Sequence, residues 1–307
     1  MAVDVTELEA ALLTRRGRLR FSALLWRRPW LKAVGLLTPP LAAFLLVYVG
    51  ALVVLFVSSF WTVDSFTGKL IHHWTLANYR QIFDTGQPYL RIARRTIGIA
   101  AAVTLTDAVL AFPLGYFMAR RARPRTRAFL FVMVLLPLWS SYLVRIYAWR
   151  TILAHDGAIN WALGGIGLPD QNIAYTNWAM WLVFSYVWLP FMVIPVYAAL
   201  ERIPDSYLEA SADLGARGFK TLRSVILPLV LPGLVAGSIF TFSLTLGDFI
   251  TPLLVGGPSS SFIGNIVYDF IGINANIPFA AAFAVIPVIV MGIYLLIARR
   301  LGAFEAL

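Results

Sequence analysis

The sequence predicts an all-α, polytopic membrane protein with six transmembrane helices behind a basic amino-terminal segment. Three observations carry this. Sixty per cent of the 307 residues are hydrophobic, only 13% are charged, and the mean hydropathy is +0.78, whereas soluble domains carry about 25% charged residues. Six apolar runs each approach the roughly 20 residues that a helix needs to cross a bilayer. The basic residues gather in alternate connections between those runs, as expected where Lys and Arg mark the cytoplasmic side. The formal charge of +10 therefore reflects topology and not a nucleic-acid surface, because no single stretch concentrates it. The absence of cysteine excludes disulfides and thiolate metal sites, and three histidines, two of them adjacent at His72 and His73, give no metal-ligand spacing.

In chain order, residues 1–32 contain Arg15, Arg16, Arg18, Arg20, Arg27, Arg28 and Lys32 interleaved with Leu8, Leu12, Leu13, Phe21, Leu24, Leu25 and Trp26. Two readings stand: an amphipathic helix on the inner membrane surface, or a solvated basic tail. A cleaved signal peptide is disfavoured, since the apolar run that follows is longer than an h-region and ends in bulky Phe60 and Trp61. The membrane domain, 33–307, has its spans at about 34–60, 97–119, 128–147, 178–200, 229–255 and 279–298. With the amino terminus inside, 18 basic residues fall on the cytoplasmic side against seven outside: Lys69, Arg80, Arg91, Arg94, Arg95, Arg145 and Arg150. Both termini are thus expected in the cytoplasm. The outer loop 62–95 carries a short amphipathic element, LANYRQIF. Residues 151–177, with several glycines around Ile159, Asn160 and Trp161, read as a short surface helix with a turn. That helix either receives a soluble partner or anchors two spans through Trp161 and Trp178.

Between the fourth and fifth spans lies a polar island, residues 201–228, ERIPDSYLEASADLGARGFKTLRSVILP. Asp205, Glu209, Asp213 and Arg217 recur every four residues, so a helix places them on one face, with Tyr207, Ala210, Ser211 and Leu214 on another. Ser206 and Glu209 read as a capping box behind Pro204, and Gly215 as the left-handed stop of a helix of about nine residues. A second short helix from about Phe219 leads into Leu227 and Pro228.

This island resembles the EAA loop of importer-type ABC transporter permeases, whose pattern is EAA, three residues, Gly, nine residues, then I-x-L-P. Glu209, Ala210, Gly215, Leu227 and Pro228 match it, while Ser211 and Val225 replace the usual Ala and Ile. The resemblance implies a type I importer permease fold in which Tyr207, Glu209, Ala210, Ser211, Asp213, Leu214 and Gly215 form a coupling helix docked on a separate ATPase subunit. It further implies two such ATPases using ATP and Mg, a second permease of the shorter, C type, an extracytoplasmic binding protein, surrounding membrane lipid, and no cofactor held by this chain. The segments LPLWSSYLVRIYAW from Leu136, WLPFMVIPVYAALERIP from Trp188, LGDFITPLLVGGP from Leu246 and IGNIVYDF from Ile263 resemble the spermidine and putrescine branch, in its B-type subunit. Permeases for opines, other amines, thiamine and ferric iron share this framework, so these segments leave the solute open.

Ionisable groups inside spans mark candidate path residues. Asp248 follows Gly247, where Pro252, Gly256, Gly257 and Pro258 predict that the fifth helix loosens. It either meets an incoming ammonium group, or caps broken backbone, or pairs with Arg145. Asp107 lies mid-span, with Thr104 and Thr106 as local partners. Trp139, Tyr142, Tyr147, Tyr186, Trp188 and Phe191, with Trp149, either form a cation–π cage with Asp248 or belong to the interfacial aromatic belt. Arg145 opposes a purely cationic solute unless an acid neutralises it. No Walker loop, HExxH or Ser-His-Asp set is present, so ATP hydrolysis is expected on another chain. A stand-alone secondary transporter would need an internal repeat with matching broken helices, which is not evident; a membrane-embedded enzyme would need acids or histidines converging at one depth.

Overall fold

The computed structural model describes residues 29–302, apart from 65–66, 170, 172 and 258–259. The basic segment 1–32 falls almost wholly outside the described residues. Two compact units divide the chain, residues 1–57 and 58–307. Helix α1 runs from Pro29–Phe44 through a π-helical turn, Leu45–Val49, into Gly50–Ser58, all but its last residue in the first unit. Its apolar side chains, among them Leu46, Val47 and Val54, are exposed.

The second unit opens with a two-stranded antiparallel ribbon, β1 (Thr62–Val63) and β2 (Leu70–Ile71), and a short helix, α2 (Ala77–Phe83). Helices α3 (Tyr89–Arg120), α7 (Asn177–Glu201) and α9 (Gly218–Gly247) pack together as its centre, and α11 (Ile277–Arg300) lies against α9. Around them stand α4 (Pro124–Trp139), α5 (Tyr142–Leu153), α6 (Ala158–Gly165), α8 (Asp205–Asp213) and α10 (Ile263–Gly272). Among the described residues five helices are long and apolar enough to cross a membrane, and the pair α4 and α5–α6 makes a sixth span if counted together.

Two departures from the expected spans matter. The third is not a straight helix: Ser140 and Ser141 adopt extended backbone and the chain bends by 97°. The fifth begins at Gly218 and ends at Gly247, so the short helix expected from about Phe219 is the first part of the span itself, joined through a π-helical turn at Leu222–Ile226. The loosening expected after Gly247 is present, as extended backbone at Asp248 followed by a π-helical segment, Pro252–Gly256. The amphipathic element near Ala77 and the surface helix around Trp161 appear as α2 and α6.

Small residues set the central packing. A Cβ on Gly233 would lie 2.5 Å from Ala199 Cβ and 2.8 Å from the Pro195 carbonyl oxygen, and one on Gly237 would lie 2.8 Å from Met192 Sδ. The α7 and α9 backbones therefore approach as only glycine permits, the means by which membrane helices gain contact without a hydrophobic driving force. Arg95, an apparent exception to the charge bias, donates to the Ser261 carbonyl, and its neighbour Thr96 accepts from Ile263 N at 3.2 Å. Together they fasten the start of α3 to the loop before α10. Gly233→Leu is expected to force α7 and α9 apart at a cost of about 1–3 kcal/mol or more, read as a lower melting temperature in detergent. Gly98→Ala, which meets nothing within 4 Å, should leave it unchanged.

Candidate functional site

The two helix breaks meet. Tyr142, the first residue of α5, donates its hydroxyl proton to Asp248 at the end of α9, and the same hydroxyl lies 2.8 Å from Thr251 Oγ1. Asp248 Oδ1 accepts from the backbone N–H of Ile250 at 2.7 Å and of Thr251 at 3.2 Å, and Oδ2 accepts from Thr251 Oγ1 at 3.0 Å. The carboxylate thus caps the helix that restarts after the break, as an Asp at an N-cap does. On the other side, Asn265 of α10 donates to the Phe249 carbonyl at 2.7 Å and accepts from Phe262 N at 2.8 Å.

Of the alternatives for Asp248, the cap is what the geometry provides; no ion pair joins it to Arg145 among the described residues. Arg145 sits instead with its guanidinium carbon 5.9 Å from the Tyr142 ring centroid, 9% exposed, and its Nε and Nη1 have no hydrogen-bond partner among the described residues. Trp188, stacked on Tyr142 at 5.6 Å between centroids, likewise has its indole N–H without a partner. Phe191 touches Trp188 at 5.9 Å.

The expected cage is therefore divided. Tyr142, Trp188 and Phe191 cluster beside Asp248, whereas Tyr186 pairs with Trp149 at 5.2 Å. Trp139, 89% exposed, and Tyr147, 51% exposed, have no ring contact with that cluster among the described residues. Asp107 is fully buried, and the threonines expected to satisfy it do not: Thr104 donates to the Ala100 carbonyl at 2.7 Å and Thr106 accepts from Trp181 Nε1 at 3.0 Å. Ser185 on α7 lies opposite Asp107, outside hydrogen-bond geometry. Sequence reasoning missed Thr251 and Asn265. The Asp-x-x-Thr spacing could have found the first; nothing local marks the second, 16 residues from its partner.

At the other end of α7 and α9 stands α8. It spans nine residues, as expected, but Pro204 occupies the N-cap and no capping box forms; Ser206 lies within the first turn. Gly215, at φ +74°, closes a Schellman motif in which Gly215 N donates to the Ala212 carbonyl at 2.8 Å and Ala216 N to that of Ser211 at 3.0 Å. Ser211 alone of the motif residues is buried, its hydroxyl 3.0 Å from that of Thr221 on α9. Tyr207, Glu209, Ala210, Asp213 and Leu214 are exposed. An apolar groove of about 420 Å³ runs between the two helices, lined by Tyr207, Ala210, Leu214, Ala216, Lys220 and Val225.

A bundle with broken spans meeting at one end and a short exposed helix–glycine–helix loop at the other defines a membrane transport subunit. Residues 111–303 match the family of binding-protein-dependent transport system inner membrane components, and the chain belongs to that family: it is the permease component of an ABC importer. It is 46% identical to the inner membrane ABC transporter permease protein YdcU of Escherichia coli K12, over 96% of this chain and 97% of that protein, a name that specifies no solute. It is 34% identical to the spermidine/putrescine transport system permease protein PotB of Salmonella typhimurium SL1344, over 74% of this chain and 79% of that protein. Its fold is similar to a chain of a bacterial alginate ABC transporter crystallised with an alginate pentasaccharide-bound periplasmic protein, at 18% identity, TM-score 0.73 and coverage of 90% and 95%. It also resembles a chain of the MetNI methionine ABC transporter in an inward-facing conformation, at 22% identity, TM-score 0.52 and coverage of 69% and 93%.

Asp248→Ala would leave two backbone N–H groups unpartnered, each costing about 1–3 kcal/mol where water is excluded, and would leave the Tyr142 hydroxyl only Thr251 as partner. A melting temperature several degrees lower is expected in detergent. Asp248→Asn, which keeps an acceptor for the cap, should lose much less.

Proposed function

We propose that this permease admits polyamines, spermidine or putrescine, from an extracytoplasmic binding protein and releases them into the cytoplasm. The observation that carries the reading is the similarity to the spermidine/putrescine permease over three quarters of the chain. The cluster of Asp248, Tyr142, Trp188 and Phe191 supports it chemically, since a carboxylate flanked by aromatic faces suits an ammonium group. An arriving ammonium would compete with the Tyr142 hydroxyl for Asp248. Asp107 is the second acid on this path.

The charge bias supports both termini and α8 lying in the cytoplasm. There α8 acts as the coupling helix: small Ala210 allows close approach, Tyr207 and Leu214 offer apolar contact beside the groove, and Glu209 and Asp213 offer charge. Two ATPase subunits supply ATP and Mg chemistry, and a second permease of the C type completes the pathway. Closure of the ATPases moves α8, and the bundle switches to accept solute from the binding protein. Arg145, which has no ion-pair partner among the described residues, favours a second reading, an amine that also bears a carboxylate, such as an opine.

The test is ATP hydrolysis by the reconstituted complex with binding protein loaded in turn with spermidine, putrescine, thiamine, an opine or ferric iron. Stimulation by a polyamine is expected; stimulation by the opine alone would favour the second reading, and another solute alone would remove both. Gly215→Val, strained at positive φ by about 1–2 kcal/mol, and Glu209→Trp are expected to abolish that stimulation and lower transport at least tenfold, with the spans folded. Coupled transport at the wild-type rate would contradict the role given to α8.

A further inference from the structure

Three chain segments converge on one side chain at the α8 end. Arg120, the last residue of α3, holds Asp205 of α8 through Nη1 at 2.7 Å. Its Nη2 donates to the carbonyl of Leu200 in the last turn of α7 at 2.8 Å and to that of Ile203 in the link between α7 and α8. The two partners of the ion pair are unequal, since Arg120 is 13% exposed and Asp205 82% exposed. The buried contacts to the carbonyls, not the exposed carboxylate, therefore make the fixed part of the joint. A second guanidinium reinforces it. Arg127, in the first turns of α4, donates from Nε to the Met118 carbonyl at 3.0 Å and from Nη2 to that of Ala119 at 3.3 Å, and its Nη1 lies 3.5 Å from Glu201, which also accepts from Tyr197 at 2.9 Å. The Met118 and Ala119 carbonyls at the end of α3, and the Leu200 carbonyl at the end of α7, which also accepts from Ile203 N at 3.4 Å, are thus held by arginines from neighbouring segments, as suits helix C-termini.

We infer that Arg120 is a positioning residue of transport: it fastens the link into α8, at Ile203, to the ends of α3 and α7, so that displacement of α8 moves both helices as one body. The inference rests on the reading of α8 as the coupling helix. Elsewhere α8 is held by Ser211, its one buried residue, bonded to α9, and by half-buried Leu208, packed on the apolar cluster at the ends of α3 and α7. Without Arg120, motion of α8 would be absorbed in the three residues Arg202, Ile203 and Pro204 that link it to α7. A planar fork is needed to reach a carboxylate and two carbonyls at once, which a lysine ammonium on a single stem does not reproduce.

The experiment measures solute transported per ATP hydrolysed by the complete complex in proteoliposomes, with binding protein carrying whichever solute stimulates the wild type. Arg120→Ala is expected to keep the ATPase subunits bound and hydrolysing, while the ratio falls at least tenfold. Arg120→Lys should fall between Ala and wild type, and Asp205→Asn should stay within about threefold of wild type, because the exposed pair contributes least. An unchanged ratio in Arg120→Ala overturns the inference. So does a loss of transport matched by an equal loss of hydrolysis, which would mark a merely structural residue. Should Arg120→Ala fail to assemble, Arg120→Lys decides: a wild-type ratio there overturns the inference, and a reduced one supports it. A wild-type complex whose hydrolysis responds to no loaded binding protein would instead overturn the coupling reading itself.

Discussion

In hydrocarbon, a backbone N–H or C=O without a partner costs several kcal/mol, so a membrane helix can break only where something else satisfies the freed groups. Among the described residues the spans break at Ser140–Ser141 and after Gly247, and the breaks are brought together. Asp248 accepts the N–H groups freed on its own strand of the break, Asn265 donates to the carbonyl of Phe249, and Tyr142 ties α5 to both Asp248 and Thr251. The 97° turn of the third span is tolerated because its new first residue lands on this polar node. Discontinuous helices of this kind are where membrane transporters place their solute sites.

Both ends of the proposed mechanism are carried on the same two helices. Trp188 and Glu201 lie on α7, 13 residues apart, or roughly 20 Å. Gly218 and Gly247 bound α9, about 45 Å long by the same rise. Their crossing at Gly233 and Gly237 is too close to slide without backbone shifts. The α8 end and the helix breaks are therefore joined by stiff elements packed as one, which is what a device driven from one face and open at the other requires.

Much of the fold was legible because its signals are local. Apolar length gives a span, and Gly215 at the end of a nine-residue polar helix gives its stop, found at φ +74°. The family was legible from the spacing of Glu209, Gly215 and Pro228. What escaped depends on contacts distant in sequence. Nothing in WSSY shows that it bends, since two serines are at home inside a membrane helix and the bend is fixed by Asp248, more than a hundred residues away. Ser206 and Glu209 fit a capping pattern, yet Pro204, two residues before Ser206, occupies the N-cap and sets the entry. Aromatic residues at helical spacing could not be divided into those near Asp248 and those left exposed, because the break at Ser140 and Ser141 interrupts the helical register between Trp139 and Tyr147. Arg95 and Arg120 looked like topology signals alone, although each also holds a carbonyl of another segment.

The central claim is that the meeting of the two breaks forms part of the solute path. Because the chain contains no cysteine, a single Ser141→Cys variant reports on it directly. In proteoliposomes holding the whole complex trapped with nucleotide, the rate of labelling by a membrane-impermeant, cationic thiol reagent from the binding-protein side would be measured with and without saturating spermidine. The account predicts labelling from that side and at least severalfold protection by spermidine. Labelling that spermidine leaves unchanged, or that proceeds only from the ATPase side, would contradict it.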